Sequence, residues 1–276
     1  MLLATLLIAL VTLVAVIGEM LSRGLHVLSQ RGTGFITSGY SASAAKSGVW
    51  QGVWGSWIIA MFVVALAFPV GIGSAIYLEE YARKGRLTRF ITINVRNLAG
   101  VPAVVFGLVG IAIFVEGLGG GRSVISAGLT VAVLVLPIVI ITASEAIRAV
   151  PQGIREAGFG IGSTRWEVTR HHVLPFAAPG ILTGTVLALA RALGEAAPVL
   201  LVGAATGFFA TAPGASAWDR LTGPFTALPV NVFAWAAKPD RANVDNAAAG
   251  AIVMLLVLLV ANSAAVCLRS RYERQR

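Results

Sequence analysis

The sequence alternates long, uncharged apolar runs with shorter polar segments. The runs cover residues 1–18, 53–78, 97–115, 123–144, 173–190 and 246–268. A helix needs about 20 apolar residues to cross the hydrocarbon core of a bilayer, so each run can supply one crossing. The pattern therefore predicts an all-α polytopic membrane protein with six transmembrane helices.

The first run has two interpretations, a retained span or a secretory signal peptide. It lacks the basic n-region and the Ala-x-Ala cleavage site of a signal peptide, which favours a span. We therefore expect residues 1–52 to form a first transmembrane helix and an outer loop. Residues 53–268 would form the transmembrane core, and residues 269–276 a basic cytoplasmic tail.

Composition and charge agree with this interpretation. Only 12% of the 276 residues are charged, whereas soluble domains carry about 25%. Twelve of the 21 lysine and arginine residues fall in segments predicted to face the cytoplasm, and seven in longer outer segments. This bias predicts that both termini are cytoplasmic. The net charge of +9 thus reports topology, and no basic cluster interleaved with aromatics indicates nucleic-acid binding.

The chain lacks the sequence patterns of an enzyme. No Gly-rich phosphate-binding loop with the spacing of ATPases occurs, and no Gly-x-Ser-x-Gly nucleophile motif. The adjacent His171 and His172 cannot converge on a metal from one helix, and the lone Cys267 excludes a disulfide within the chain. We expect a non-catalytic membrane protein without cofactor or metal.

Two charges interrupt the fifth apolar stretch. Between residues 173 and 217, Arg191 and Glu195 are the only charged side chains. Four residues apart, they would share one helix face and could pair. A charge inside a membrane costs about 2.5–3.5 kcal/mol, so the pair either serves a transport pathway or locks two helices together. Pro198 cannot donate to the Gly194 carbonyl, which predicts a local kink.

A second polar pair, Arg96 and Asn97, opens the predicted third span near its inner end. Arg96 either anchors the helix at the interface or contributes to a pathway. The Gly-Val-Pro sequence at 100–102 predicts that this helix is bent. At the inner end of the second span, we expect Glu79 and Glu80 to lie at the membrane interface.

A long cytoplasmic loop, at about residues 146–176, separates the fourth and fifth spans. Pro151 suits a first helical turn, and Thr164 with Glu167 forms a potential capping box. The loop is therefore predicted to contain two short amphipathic helices. Such helices either lie on lipid headgroups or form a docking surface for a soluble partner.

The residues that point to the second alternative are Glu156, Ala157, Gly158, Gly162, Leu174 and Pro175. Their spacing resembles the Glu-Ala-Ala-x-x-x-Gly-x9-Ile-x-Leu-Pro loop of ABC-importer permeases. Gly158 replaces the third alanine and His172 the isoleucine. The resemblance implies a type I ABC importer (MetI-like) permease fold, in which this loop docks into a groove of the ATPase subunit.

Other segments resemble phosphate-importer permeases in particular. Residues 97–108, Asn-Leu-Ala-Gly-Val-Pro-Ala-Val-Val-Phe-Gly-Leu, are similar to the third-span motif of that family, and residues 191–195 to its fifth span. Residues 225–230 and Trp235 resemble the long outer loop of its PstA-type subunit. The resemblance implies an inner (plasma) membrane heterodimer with a PstC-type permease. It also implies a PstB-type ATPase dimer and a periplasmic or extracellular phosphate-binding protein.

Within this resemblance, the predicted substrate-pathway residues are Arg191, Glu195, Arg96 and Asn97. Ala196 stands where family members commonly carry threonine, so Arg191 is favoured for contact with the anion. Two alternatives stay open. The cargo is another oxyanion such as sulfate, molybdate or phosphonate, or the chain is a secondary anion transporter. The latter leaves the spacing from Glu156 to Pro175 unexplained.

Overall fold

The computed structural model describes residues 2–205 and 216–274, and every regular element among them is a helix. In chain order these are α1 (Leu2–Arg31), α2 (Thr33–Thr37), α3 (Trp50–Phe62), α4 (Phe68–Ile76), α5 (Arg86–Ala99), α6 (Ala103–Gly110), α7 (Val124–Arg148), α8 (Gln152–Gly160), α9 (Arg165–Val168), α10 (Leu174–Gly194), α11 (Ala197–Val202), α12 (Ala217–Thr222), α13 (Leu228–Ala236) and α14 (Arg241–Arg274). π-Helical segments at Val63–Ala67, Tyr77–Tyr81, Ile111–Gly117 and Thr169–Val173 extend or join them. The all-α prediction is confirmed.

Five helices of the described chain are long and apolar enough to cross a membrane. They are Leu3–Arg31, Trp50–Tyr81, Val124–Arg148, Arg165–Gly194 and Arg241–Ser263. A sixth crossing exists if α5 and the helix Ala103–Gly117 count as one span, and these two are bent by 101°. Five predicted spans are therefore continuous helices, and the segment of the third is a pair of helices joined at a sharp bend.

The break explains why the expected start of the third span was misplaced. Pro102 has no N–H and disfavours helical geometry at Val101, so the chain turns between α5 and α6. Arg96 and Asn97 lie in the last turn of α5, before the corner, instead of opening the span. The predicted bend is confirmed.

The central helix is α7, against which α3, α4, α6 and α10 all pack. Its Val131, Val135 and Val139 are fully buried. Glycines on the neighbouring helices allow this close contact. A Cβ at Gly71 of α4, for example, would lie 2.7 Å from Cγ1 of Val139.

Close approach also explains two of the three glycines of α10. A Cβ on Gly180 would lie 2.8 Å from Cβ of Ala146, and one on Gly184 would overlap the side chain of Thr142. By contrast, the added Cβ at Gly194 meets no atom within 4 Å. Close helix contact therefore accounts for Gly180 and Gly184 and does not account for Gly194.

The first helix is peripheral and packs mainly along α14. At Gly24 a Cβ would lie 2.8 Å from the Ala248 carbonyl oxygen, so the two backbones nearly touch. None of the most apolar 18 residues of α1 is buried. Its apolar surface is thus available to lipid or to another chain.

The outer segment that precedes α14 is built into the core in its second half. Residues 206–215 lie outside the described residues. Phe225 and Trp235 are fully buried, and the backbone N–H of Leu228 donates to Ser56 Oγ over 2.9 Å. The part from residue 225 onward is therefore a packed element of the core.

We predict that Gly184→Leu prevents α10 from seating on α7, because the new side chain would overlap Thr142. The expected result is a drop of roughly 5–10 °C in the melting temperature or loss of folded protein, as measured by thermal unfolding in detergent. Gly18→Leu is the control, since nothing lies within 4 Å of its added Cβ. Equal melting temperatures for the two variants would contradict this packing role.

Candidate functional site

The helix that carries Arg191 breaks one turn after it. α10 ends at Gly194, Glu195 is extended at φ −88° and ψ 111°, and α11 begins at Ala197 with Pro198 in its first turn. The cause is the missing proline N–H, which leaves the preceding turn without a helical hydrogen bond. The kink predicted from Pro198 is confirmed.

The break also separates the two charges. The described residues form four ion pairs, and none includes Arg191 or Glu195. The pairing of Glu195 with Arg191 that a shared helix face would allow is therefore not formed in this structure. The i, i+4 rule needs a continuous helix, and Glu195 has left the helix.

Arg191 instead lies on the exposed side of α10. The exposed positions of this helix repeat at helical spacing and are Phe176, Gly180, Thr183, Leu187, Arg191 and Gly194. The opposite face, which includes Ala188 and Ala192, packs into the core. The cation also sits in the last helical turn, where the helix dipole favours positive charge. A guanidinium on this face is free to meet a mobile anion.

Glu195 faces a different environment, a small cleft inside the chain. It is half-buried, and the cleft is also lined by Ser56, Ala227 and Pro229. The buried segment from residue 225 onward thus forms part of the cleft wall. Glu195 therefore shares a cleft with that segment and has no ion pair with Arg191.

The two helix breaks meet in space. α6, which begins after the first break, packs on α11, which begins after the second. At their contact a Cβ on Gly107 would lie 3.0 Å from Cα of Pro198 and 2.6 Å from Cδ1 of Leu201. Two sequence motifs about 90 residues apart are therefore parts of one structural unit.

Arg96 and Asn97 lie one turn before the first break, as Arg191 lies one turn before the second. Both side chains are exposed. α5 packs against α7 rather than along α10, so the two cations stand on separate helices around the central one.

The coupling segment, residues 146–176, contains the predicted first short helix, α8. Glu156 and Ala157 are exposed on it, whereas Gly158 is buried. A Cβ at Gly158 would lie 2.8 Å from Cγ2 of Val168, which accounts for glycine where the resemblance expects alanine. Gly162 has φ +80° and makes the turn to the next helix.

The second short helix, α9, begins with the predicted capping box. Thr164 Oγ1 accepts from the Glu167 N–H, and the Glu167 carboxylate accepts from the Thr164 N–H over 2.7 Å. The helix is not separate, however, because it runs through the π-helical Thr169–Val173 into α10. Leu174 and Pro175 form the first turn of α10 at this junction.

The coupling segment presents exposed apolar side chains next to Glu156. Phe159, Ile161 and Trp166 are 49%, 77% and 53% exposed. Large exposed apolar groups rimmed by charge are typical of a protein interface or a membrane contact. We call Glu156, Ala157 and these three residues the docking face.

Glu79 and Glu80 have partners that the sequence did not reveal. Glu79 Oε1 accepts from Arg148 Nη2 over 2.6 Å, and Glu80 Oε1 from Arg155 Nη2 over 2.8 Å. These residues are separated by 69 and 75 positions in the chain, and no local pattern predicts such a pairing. The inner end of the second span is thereby tied to the coupling segment.

Residues 67–274 match the family model described as "Binding-protein-dependent transport system inner membrane component". This range contains α10, α11 and the whole coupling segment.

Two relatives carry a more specific name. The chain is 31% identical over 271 residues to "Phosphate transport system permease protein PstA 1" of Mycobacterium tuberculosis, covering 98% of this chain and 86% of the relative. It is 34% identical to "Phosphate transport system permease protein PstA" of Yersinia pestis, covering 80% and 72%. A solved structure, "Inward facing conformations of the MetNI methionine ABC transporter", has a TM-score of 0.58 at 17% identity and covers 82% of this chain and 94% of its own. This last likeness supports the fold.

Proposed function

The chain belongs to the family of binding-protein-dependent transport system inner membrane components, and we propose that it moves inorganic phosphate across the inner membrane as a PstA-type permease subunit. The observation that carries the proposal is similarity over 98% of the chain to a protein named as a phosphate permease. The exposed guanidinium of Arg191 supports it independently, because a planar donor fork matches phosphate oxygens.

Arg191 is the group that we assign to the anion in the pathway. It lies on an exposed helix face and has no carboxylate partner among the described residues, so its donors are available. Glu195, Arg96 and Asn97 are proposed as further pathway residues, each beside one of the two breaks. Without a paired carboxylate at Arg191, release of the anion has to come from a change in the geometry around it.

The docking face is proposed to bind a cytoplasmic ATPase, which supplies the energy of transport. Its exposed apolar residues and Glu156 support this role. The partners implied are a PstB-type ATPase dimer, a PstC-type sister permease and a phosphate-binding protein on the outer side. With the coupling segment on the cytoplasmic side, both chain ends are cytoplasmic, as the distribution of basic residues predicts.

We predict that Arg191→Gln lowers uptake of labelled phosphate by at least 10- to 100-fold in vesicles containing the reconstituted complex, since a charge-assisted hydrogen bond is lost. Arg191→Lys keeps the charge without the planar donor fork. Its phosphate uptake should lie between that of the wild type and that of Arg191→Gln. Because Arg191 is exposed and makes no ion pair within the described chain, assembly should be intact in both variants.

Arg86→Gln is the matched control, because Arg86 is an exposed arginine on α5. Phosphate uptake by the complex with this variant should equal uptake by the wild type. Undiminished uptake by Arg191→Gln refutes the role of Arg191. Competition with sulfate, molybdate and phosphonate in the same vesicles tests the cargo. If one of these, and not phosphate, saturates the wild-type complex, the chain carries that oxyanion instead.

We predict that Glu156→Lys and Gly162→Val both uncouple ATP hydrolysis from transport. The first reverses a charge on the docking face. The second forces a branched side chain to φ +80°, which costs about 1–3 kcal/mol and displaces the turn after α8. The measurement is uptake per ATP hydrolysed in the reconstituted complex, with Glu116→Lys, an exposed acid outside the coupling segment, as control. Wild-type ratios in both variants count against docking by α8.

A further inference from the structure

Arg155 is held by two other parts of the structure. Its Nη2 and Nε donate to Glu80 Oε1 over 2.8 and 3.1 Å, at the inner end of the second span. Nη2 also donates to the Ile147 carbonyl over 2.9 Å, and Nη1 to the Val150 carbonyl over 2.7 Å, at the end of α7. Arg155 itself belongs to α8, so one guanidinium joins two spans and the docking helix.

The burial of this pair makes the connection stiff. The side chains of Arg155 and Glu80 are only 14% and 9% exposed. A buried ion pair is held firmly when its hydrogen-bonding groups are satisfied, and removal of one partner leaves an uncompensated charge. The fixed fork of arginine fits all these acceptors at once, whereas a lysine ammonium has no such geometry.

Two further arginines reach the same turn. Arg148 pairs with Glu79 over 2.6 Å, and Arg165 lies with Cζ 5.5 Å from the ring centre of Tyr81. Three consecutive residues, 79–81, thus hold one arginine each from α7, α8 and α9. We call these six residues the arginine clamp.

The arginine clamp holds a helical turn that has free space beside it. Residues 79–81 belong to the π-helical segment Tyr77–Tyr81, the last turn of the second span before the backbone becomes extended at Ala82. Tyr77 also lines an open cavity of about 390 Å³ between the second span and α5, together with Ser74, Ile91 and Val95. The inner end of the second span therefore has free space on the side of α5.

We propose that Arg155 and Glu80 are positioning residues that transmit movement of α8 to the second span, with the other members of the clamp as flanking contacts. Glu156 on the docking face is the next residue after Arg155, so a displacement of the docking helix moves Arg155 directly. This inference rests on the proposed docking of an ATPase to α8. It adds the second span as the element that receives the movement.

The test compares Arg155→Lys, Glu80→Gln and the double variant in the reconstituted complex, with labelled inorganic phosphate and Mg-ATP. Uptake per ATP hydrolysed should fall between about 2-fold and 30-fold in each single variant, while ATP hydrolysis persists. The double variant should be no worse than the more affected single variant, because both changes break one connection. Arg86→Lys, an exposed arginine outside the clamp, should match wild type.

Three results would overturn the proposal. The first is unchanged uptake per ATP in both single variants, and the second is a double variant in which the two losses multiply. The third is a parallel fall of uptake, ATP hydrolysis and amount of complex. This third result would indicate a merely structural role. Amide hydrogen exchange of residues 77–81 on ATP binding provides a readout independent of cargo. The wild type should change protection there, and Arg155→Lys should not. If the complex carries another oxyanion, the proposed transport of phosphate is refuted. The exchange measurement still tests the role of Arg155 and Glu80 in that case, because it does not depend on the cargo.

Discussion

The structure depends on one constraint, the need to satisfy backbone hydrogen bonds where water is absent. A continuous helix satisfies its backbone hydrogen bonds within itself, and five helices of the described chain are long and apolar enough to cross a membrane in this way. The two breaks, at 100–102 and 195–196, can exist only where other protein surfaces cover the freed groups. The contact of Gly107 with Pro198 seats against each other the two half-helices that follow these breaks.

The coupling segment follows different physics, because α8 is too short to be stable alone and α9 is only the first turn of the long helix that continues into α10. α8 and α9 are positioned by the turn at Gly162, the capping box at Thr164 and the contact of Gly158 with Val168. The docking face remains exposed as a result, while charged groups on the inner side of the segment bind the ends of two spans. One side of the segment is therefore available to a partner and the other is firmly attached.

The sequence predicted what local rules control. Apolar runs located the spans, Thr164 with Glu167 identified the cap, and Pro198 predicted the second break. It did not predict features that depend on distant parts of the chain. The partners of Glu79 and Glu80 are about 70 residues away, and the assumed pairing of Arg191 failed because helical spacing ends at Gly194.

The corner before α6 also has an electrical consequence. The helix from Ala103 to Gly117 has 15 residues and is about 22 Å long, whereas the hydrocarbon layer is about 30 Å thick. This helix alone is therefore too short to cross the hydrocarbon layer. A membrane voltage falls across the insulator, and each elementary charge moved through it involves about 2.3 kcal/mol per 100 mV. If the proposed pathway runs along α6, an anion does only part of this electrical work beside that helix.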